Sequence, residues 1–195
     1  MGLIANAAAR SLSIEVPTWV DEVVAAFRAP LDSDRACLSL AVELARENVE
    51  RGGGPFGAAV FAGDRLLSAG VNLVLSSRFS IAHAEIVALM RGQAALGESA
   101  LNPPALSLFT SAEPCCQCFG SLIWAGVTRL VCGATTADVE EVGFDEGPKP
   151  EGWVKVLEAR GIQVSQGVER AASRAVLVDY VARGGQIYGK LSASE

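Results

Sequence analysis

Three cysteines stand within four positions in SAEPCCQCFG, Ser111 to Gly120, and the chain's one histidine stands in HAE, His83 to Glu85. A fold that uses both segments together must bring two distant stretches to one point. Cys115 and Cys118 are three apart at the start of a helix that Pro114 opens, a spacing that puts both sulfurs on one face. A helix N-terminus carries partial positive charge and favours the thiolate that a metal needs. Two soft thiolates select zinc among common cellular metals, and His83, at the start of another helix, is the available third ligand. Three protein ligands leave a position for water, the composition of a catalytic rather than a structural zinc. Two thiolates already neutralise the dication and acidify that water less than three imidazoles would. A nearby base is then useful, and Glu85 fits that need.

Each half of this pattern is weak alone. A single CxxC is often structural or redox-active, and HxE recurs by chance. Together and in order, each at a helix start with a strand between, they are specific, and one zinc per chain is expected. Cys116 is expected to face away from the metal, and Cys37 and Cys132 to act as ordinary apolar residues. Five cysteines, three of them crowded, suit a reducing compartment better than a disulfide frame, which points to the cytoplasm.

The rest of the chain bounds the class. Its 195 residues are 50% hydrophobic and 19% charged, enough for one buried core in a single domain. The net charge of −6 argues against a phosphate-binding surface, so a small-molecule partner is favoured over nucleic acid. No apolar run approaches the roughly 20 residues that span a bilayer, so no membrane partner is expected. MGLIANAAARSLSIEV, interrupted by Arg10 and Glu15, does not read as a signal peptide.

Helical spacing runs from Thr18 to Arg28 and, capped at Ser33 or Asp34, to about Arg51. GGGPFG then breaks the chain, and apolar runs on either side of Gly63-Asp64 predict a hairpin. A helix over about 82–95, a strand over 105–111, a helix from Pro114 to about Trp124 and a strand over 128–134 follow. GFDEGPKPEGW reads as loop, Ile162 to Val168 as a strand, and Glu169 to Arg183 as a last helix. The gap before the final strand is long enough for a crossover, so that strand can run parallel to its predecessor. The expected fold is α/β with a mixed sheet of about five strands. Residues 1–30 are expected to be an extension with a packing helix, and 31–195 the domain that carries the zinc.

H-x-E followed by P-C-x-x-C is the signature of zinc-dependent nucleobase deaminases. On these residues, and over about Asp34 to Gly189, the chain resembles the cytidine deaminase superfamily. That resemblance implies a three-layer α/β/α fold with a five-stranded mixed sheet. A first-ligand histidine resembles the guanine, cytosine and tRNA-adenosine branch. GGPFGAAVF, the Asn of AGVNLV and GFDEGPKPEGW are similar to bacterial guanine deaminases, including those that accept the triazine ammeline. The resemblance implies that Asn72 hydrogen-bonds the base and that Glu146 is a second catalytic carboxylate. It also implies that Phe56, Ala84, Trp124 and Phe144 surround the ring, and that the protein is a homodimer. In some members the C-terminal segment completes the partner's site. The activity implied is hydrolytic deamination of guanine to xanthine and ammonia, with Glu85 moving the proton. Another base or nucleoside, cytosine or guanosine, is the alternative. A zinc-stabilised scaffold without activity is a third, and Glu85 argues against it.

Overall fold

The computed structural model describes residues 12–97 and 105–189. The first 11 residues of the expected extension, including Arg10, lie outside them.

Ser33 stops one segment and starts the next: its side chain accepts from Ala36 N, and α2 runs from Asp34 to Glu50 (Asp34–Glu50). Before it, α1 (Trp19–Ala26) occupies the first stretch of helical spacing. The hairpin forms as β1 (Gly57–Ala62) and β2 (Arg65–Val71), turning at Gly63 with φ +63°. Then come a single turn α3 (Val74–Ser77), α4 (Ala84–Leu96), β3 (Leu106–Ala112), α5 (Cys116–Trp124) and β4 (Val127–Ala134). The crossover holds α6 (Thr136–Glu141) and α7 (Trp153–Glu158), and the chain ends with β5 (Gln163–Ser165) and α8 (Arg170–Ala182).

The sheet order is β2-β1-β3-β4-β5. β1 pairs antiparallel with β2 and β3, while β3, β4 and β5 run parallel. This is the five-stranded mixed sheet expected, with helices on both faces.

Strand alternation separates the two faces. Ala59 and Phe61 of β1 join α1 and α2 in one core; Ala58 and Val60 join Ala84, Ala88 and Leu89 of α4 and Leu122 of α5 in the other. Burying each large aliphatic side chain contributes about 1.5–3 kcal/mol, so a one-residue slip of β1 would exchange both cores at once. Gly70 lets α4 lie flat on β2, because a Cβ there would sit 2.5 Å from Ala88 N.

Three differences from expectation have local causes. α6 and α7 are six residues each, too short to show a helical apolar period. Thr135 and Asp138 nevertheless form a capping box, a signal present in the sequence. β5 keeps only three of seven expected strand residues, because it is an edge paired to β4 alone. The helices at 82 and 114 start later than expected, with His83 and Cys115 as their N-caps.

Candidate active site

Both cap residues have extended backbone, φ −70° ψ 157° at His83 and φ −66° ψ 175° at Cys115. That conformation turns each side chain back over the mouth of its own helix, near the carboxyl ends of the central strands, where open α/β sheets bind ligands. Cys118, in the first turn of α5, is buried beneath them. His83 Nδ1 lies 3.4 Å from Cys115 Sγ and 3.6 Å from Cys118 Sγ. All three ligand atoms fall within 4.8 Å of one another. One tetrahedral zinc, with bonds of about 2.0–2.1 Å to nitrogen and 2.3 Å to sulfur, needs a nitrogen–sulfur separation of about 3.6 Å. The donor set therefore fits zinc in both chemistry and size.

The thiols are electrostatically unequal. The Cys118 thiol beside it holds Cys115 down at about 4 against the cost of burial, and His83 acts in the same direction. Cys118 goes the other way, raised by its bond to Cys115 and by burial. Burial alone would lower His83, but the hydrogen bond and charge of Cys115 raise it. Cys116 is exposed, and Cys37 and Cys132 are buried in the two cores.

Glu85 follows the cap by two residues, is buried, and has its pKa raised by burial first and then by the Cys115 charge. Across a small pocket of about 60 Å³ stands Glu146. It too is buried; burial pushes it up to about 8, Lys149 opposing and Cys115 and Glu85 adding. Asn72 forms a third side. Its Oδ1 accepts from Val74 N, and its backbone O accepts from Asn48 Nδ2, which also donates to Gly54 O. Phe56 and Phe144 meet edge to face, centroids 5.2 Å apart.

The pocket thus brings together His83, Glu85, Cys115, Glu146, Asn72, Phe56 and Phe144. Two residues expected at the ring, Trp124 and Ala84, do not line this pocket. Trp124, the last residue of α5, is 81% exposed and borders a separate hollow with Ile86 and Met90. The helical period turned it outward while Cys118 turned in. Ala84 is fully buried against the sheet, since one position beyond the cap the side chain points into the core.

Other lining residues were not singled out by sequence reasoning: Glu113, Asp145, Tyr188 and Gly189. Glu113 immediately precedes Pro114, and its carboxylate accepts from Thr136 N, Thr136 Oγ1 and Gln166 Nε2. Tyr188 packs edge to face on Phe144, centroids 5.2 Å apart, with its hydroxyl buried and unpartnered. Tyr188 and Gly189, the last two described residues, line the pocket. Gly54 leaves the space: a Cβ there would lie 2.2 Å from the Tyr188 hydroxyl, a readable reason for one glycine of GGGPFG.

A family model described as the cytidine and deoxycytidylate deaminase zinc-binding region matches residues 31–134. The chain is 38% identical over 110 residues to a guanine deaminase of Bacillus subtilis, covering 56% of this chain and 69% of the relative. It is similar to the solved guanine deaminase from Nitrosomonas europaea, with TM-score 0.83 and 44% identity over 91% of this chain and all of the other. It also resembles a mutant of NE0047 solved in complex with 8-azaguanine, with TM-score 0.81 and 46% identity over 91% of this chain and all of the other.

Proposed function

This chain belongs to the cytidine and deoxycytidylate deaminase zinc-binding family, and we propose that it is a zinc-dependent aminohydrolase that converts guanine and water to xanthine and ammonia. The observation that carries this reading is one pocket lined by two buried carboxyls, Glu85 and Glu146, and by His83 and Cys115 of the His/Cys/Cys cluster.

His83, Cys115 and Cys118 would hold a zinc ion, which would supply Lewis-acid polarisation of a water molecule. Glu85 takes a proton from the attacking water and returns it to a ring nitrogen as the new carbon–oxygen bond forms. The bond to the exocyclic amine then breaks, and its nitrogen needs a proton to leave as ammonia. Glu146 holds a proton near neutral pH because burial raises it, so it can make that transfer. Asn72 hydrogen-bonds the base, while Phe56 and Phe144 exclude water from its faces. Guanine offers N–H groups at N1 and the 2-amino group, and a carboxyl facing them matches it better than it matches cytosine or adenine.

The test is ammonia release from guanine, guanosine, cytosine, adenine and ammeline. Guanine is expected to be fastest, with ammeline the next candidate. Preference for cytosine or guanosine would overturn the assignment.

The same reading makes the protein a homodimer of the cytoplasm, acting on free bases rather than nucleic acid. Exposed Met90 and Trp124 supply apolar surface that a second copy could cover, and five free cysteines fit a reducing compartment. Among the described residues no helix is long and apolar enough to cross a membrane. Light scattering on the pure protein tests the dimer.

A further inference from the structure

Lys149 is a buried cation in the loop that carries Glu146. Its side chain is 8% exposed, and that of Glu146 7%. A lysine out of water needs its charge compensated and its three N–H groups used. Lys149 Nζ donates to Pro114 O at 2.9 Å and to Thr136 Oγ1 at 2.6 Å. Glu146 Oε2 lies 3.7 Å away and is otherwise a buried oxygen with no hydrogen-bond partner. The Trp153 ring covers the ammonium, 5.3 Å from its centroid.

The anchors are themselves fixed. Thr136 Oγ1 also donates to Glu113 Oε2, whose carboxylate is tied to Gln166. The loop also grips the residues on both sides of Cys115: Glu146 O accepts from Cys116 N at 2.9 Å, while the ammonium holds Pro114 O.

We infer that Lys149 is a positioning residue for Glu146. Its charge, 3.7 Å from Oε2, holds that side of the carboxyl, leaving the other oxygen to meet the substrate. This rests on the reading of Glu146 as the acid of a deaminase. A lysine that merely pins the loop would contribute to stability alone, and its loss would act whether or not Glu146 were ionisable.

A double-mutant cycle separates the two. Lys149→Met is expected to lower kcat for guanine by about 10–100-fold, the size of a misplaced catalytic group, with KM changed less than about 3-fold. Zinc content by elemental analysis is expected to stay at one per chain. In a Glu146→Gln background the same change is expected to cost less than about 3-fold, because the group it positions is gone. Should Lys149→Met prove insoluble, Lys149→Gln, which keeps a donor, runs the same cycle. Equal losses in both backgrounds, loss of zinc, or wild-type kcat in Lys149→Met would each overturn the positioning role. A wild type inert towards guanine would overturn the deaminase reading itself, and is distinguishable because it appears before any variant is made.

Discussion

The two walls of the pocket are held in different ways. On the metal wall, His83 and Cys115 are helix caps at the ends of buried segments, and Cys118 sits one turn inside a helix. Backbone hydrogen bonds of α4 and α5 set their positions before any side chain is considered. On the opposite wall, Glu146 and Tyr188 stand on irregular chain. Lys149 contacts, a bond from Gly147 N to Asp145 Oδ1, and aromatic packing around Phe144 hold that wall. Damage to the first wall should remove the metal. Damage to the second should leave the metal and slow the reaction.

The largest expected effect breaks the first wall. Cys118→Ser is expected to bring zinc, measured by elemental analysis, well below one per chain, and turnover down with it. A fully loaded and active variant would end the comparison. Next, Glu85→Gln tests whether that wall also carries the base: turnover should fall by about 10⁴-fold, the upper end for acid–base groups, with zinc retained. Glu146→Gln should cost about 10²-fold with zinc again retained. A proton donor with a pKa near 8 also implies that the wild-type rate declines as pH rises through about 8. The Gln variant should lose that alkaline limb in a pH–rate profile.

The smallest effect lies outside both walls and calibrates them. Asp138 closes the α6 capping box and accepts from Arg170, which holds its carboxyl well below the usual range. Asp138→Asn should cost about 1 kcal/mol, a Tm loss of about 2–4 °C, with turnover near wild type. A carboxyl depressed in the fold binds fewer protons there than in the unfolded chain, so its contribution is present above the ordinary value of 3.8 and lost below it. Wild type and variant should therefore converge in stability as the solution is acidified, in thermal melts taken across that range.

The metal wall was legible in the sequence because its signals are local. HAE and PCCQC each fix a helix start and its donors within a few residues. The apolar runs in GAAVFA and ALSLFTS made both strands readable. GFDEGP pointed to Glu146 only through its resemblance to known deaminases; nothing in its spacing says that the carboxyl is buried. Trp124 stands exposed outside the pocket lining, because the sequence gives a helix but not the direction its last residue faces.

The sequence by itself determined the zinc donors, the carboxyl of Glu85 beside them and an α/β sheet compatible with both. Only the tertiary structure decided what faces them. Tyr188 reaches Gly54, and Lys149 reaches Pro114 and Thr136, across separations that no periodicity records. A cap is specified by neighbours a turn away, whereas a buried contact between loops exists only once the sheet and helices have fixed the distance between them.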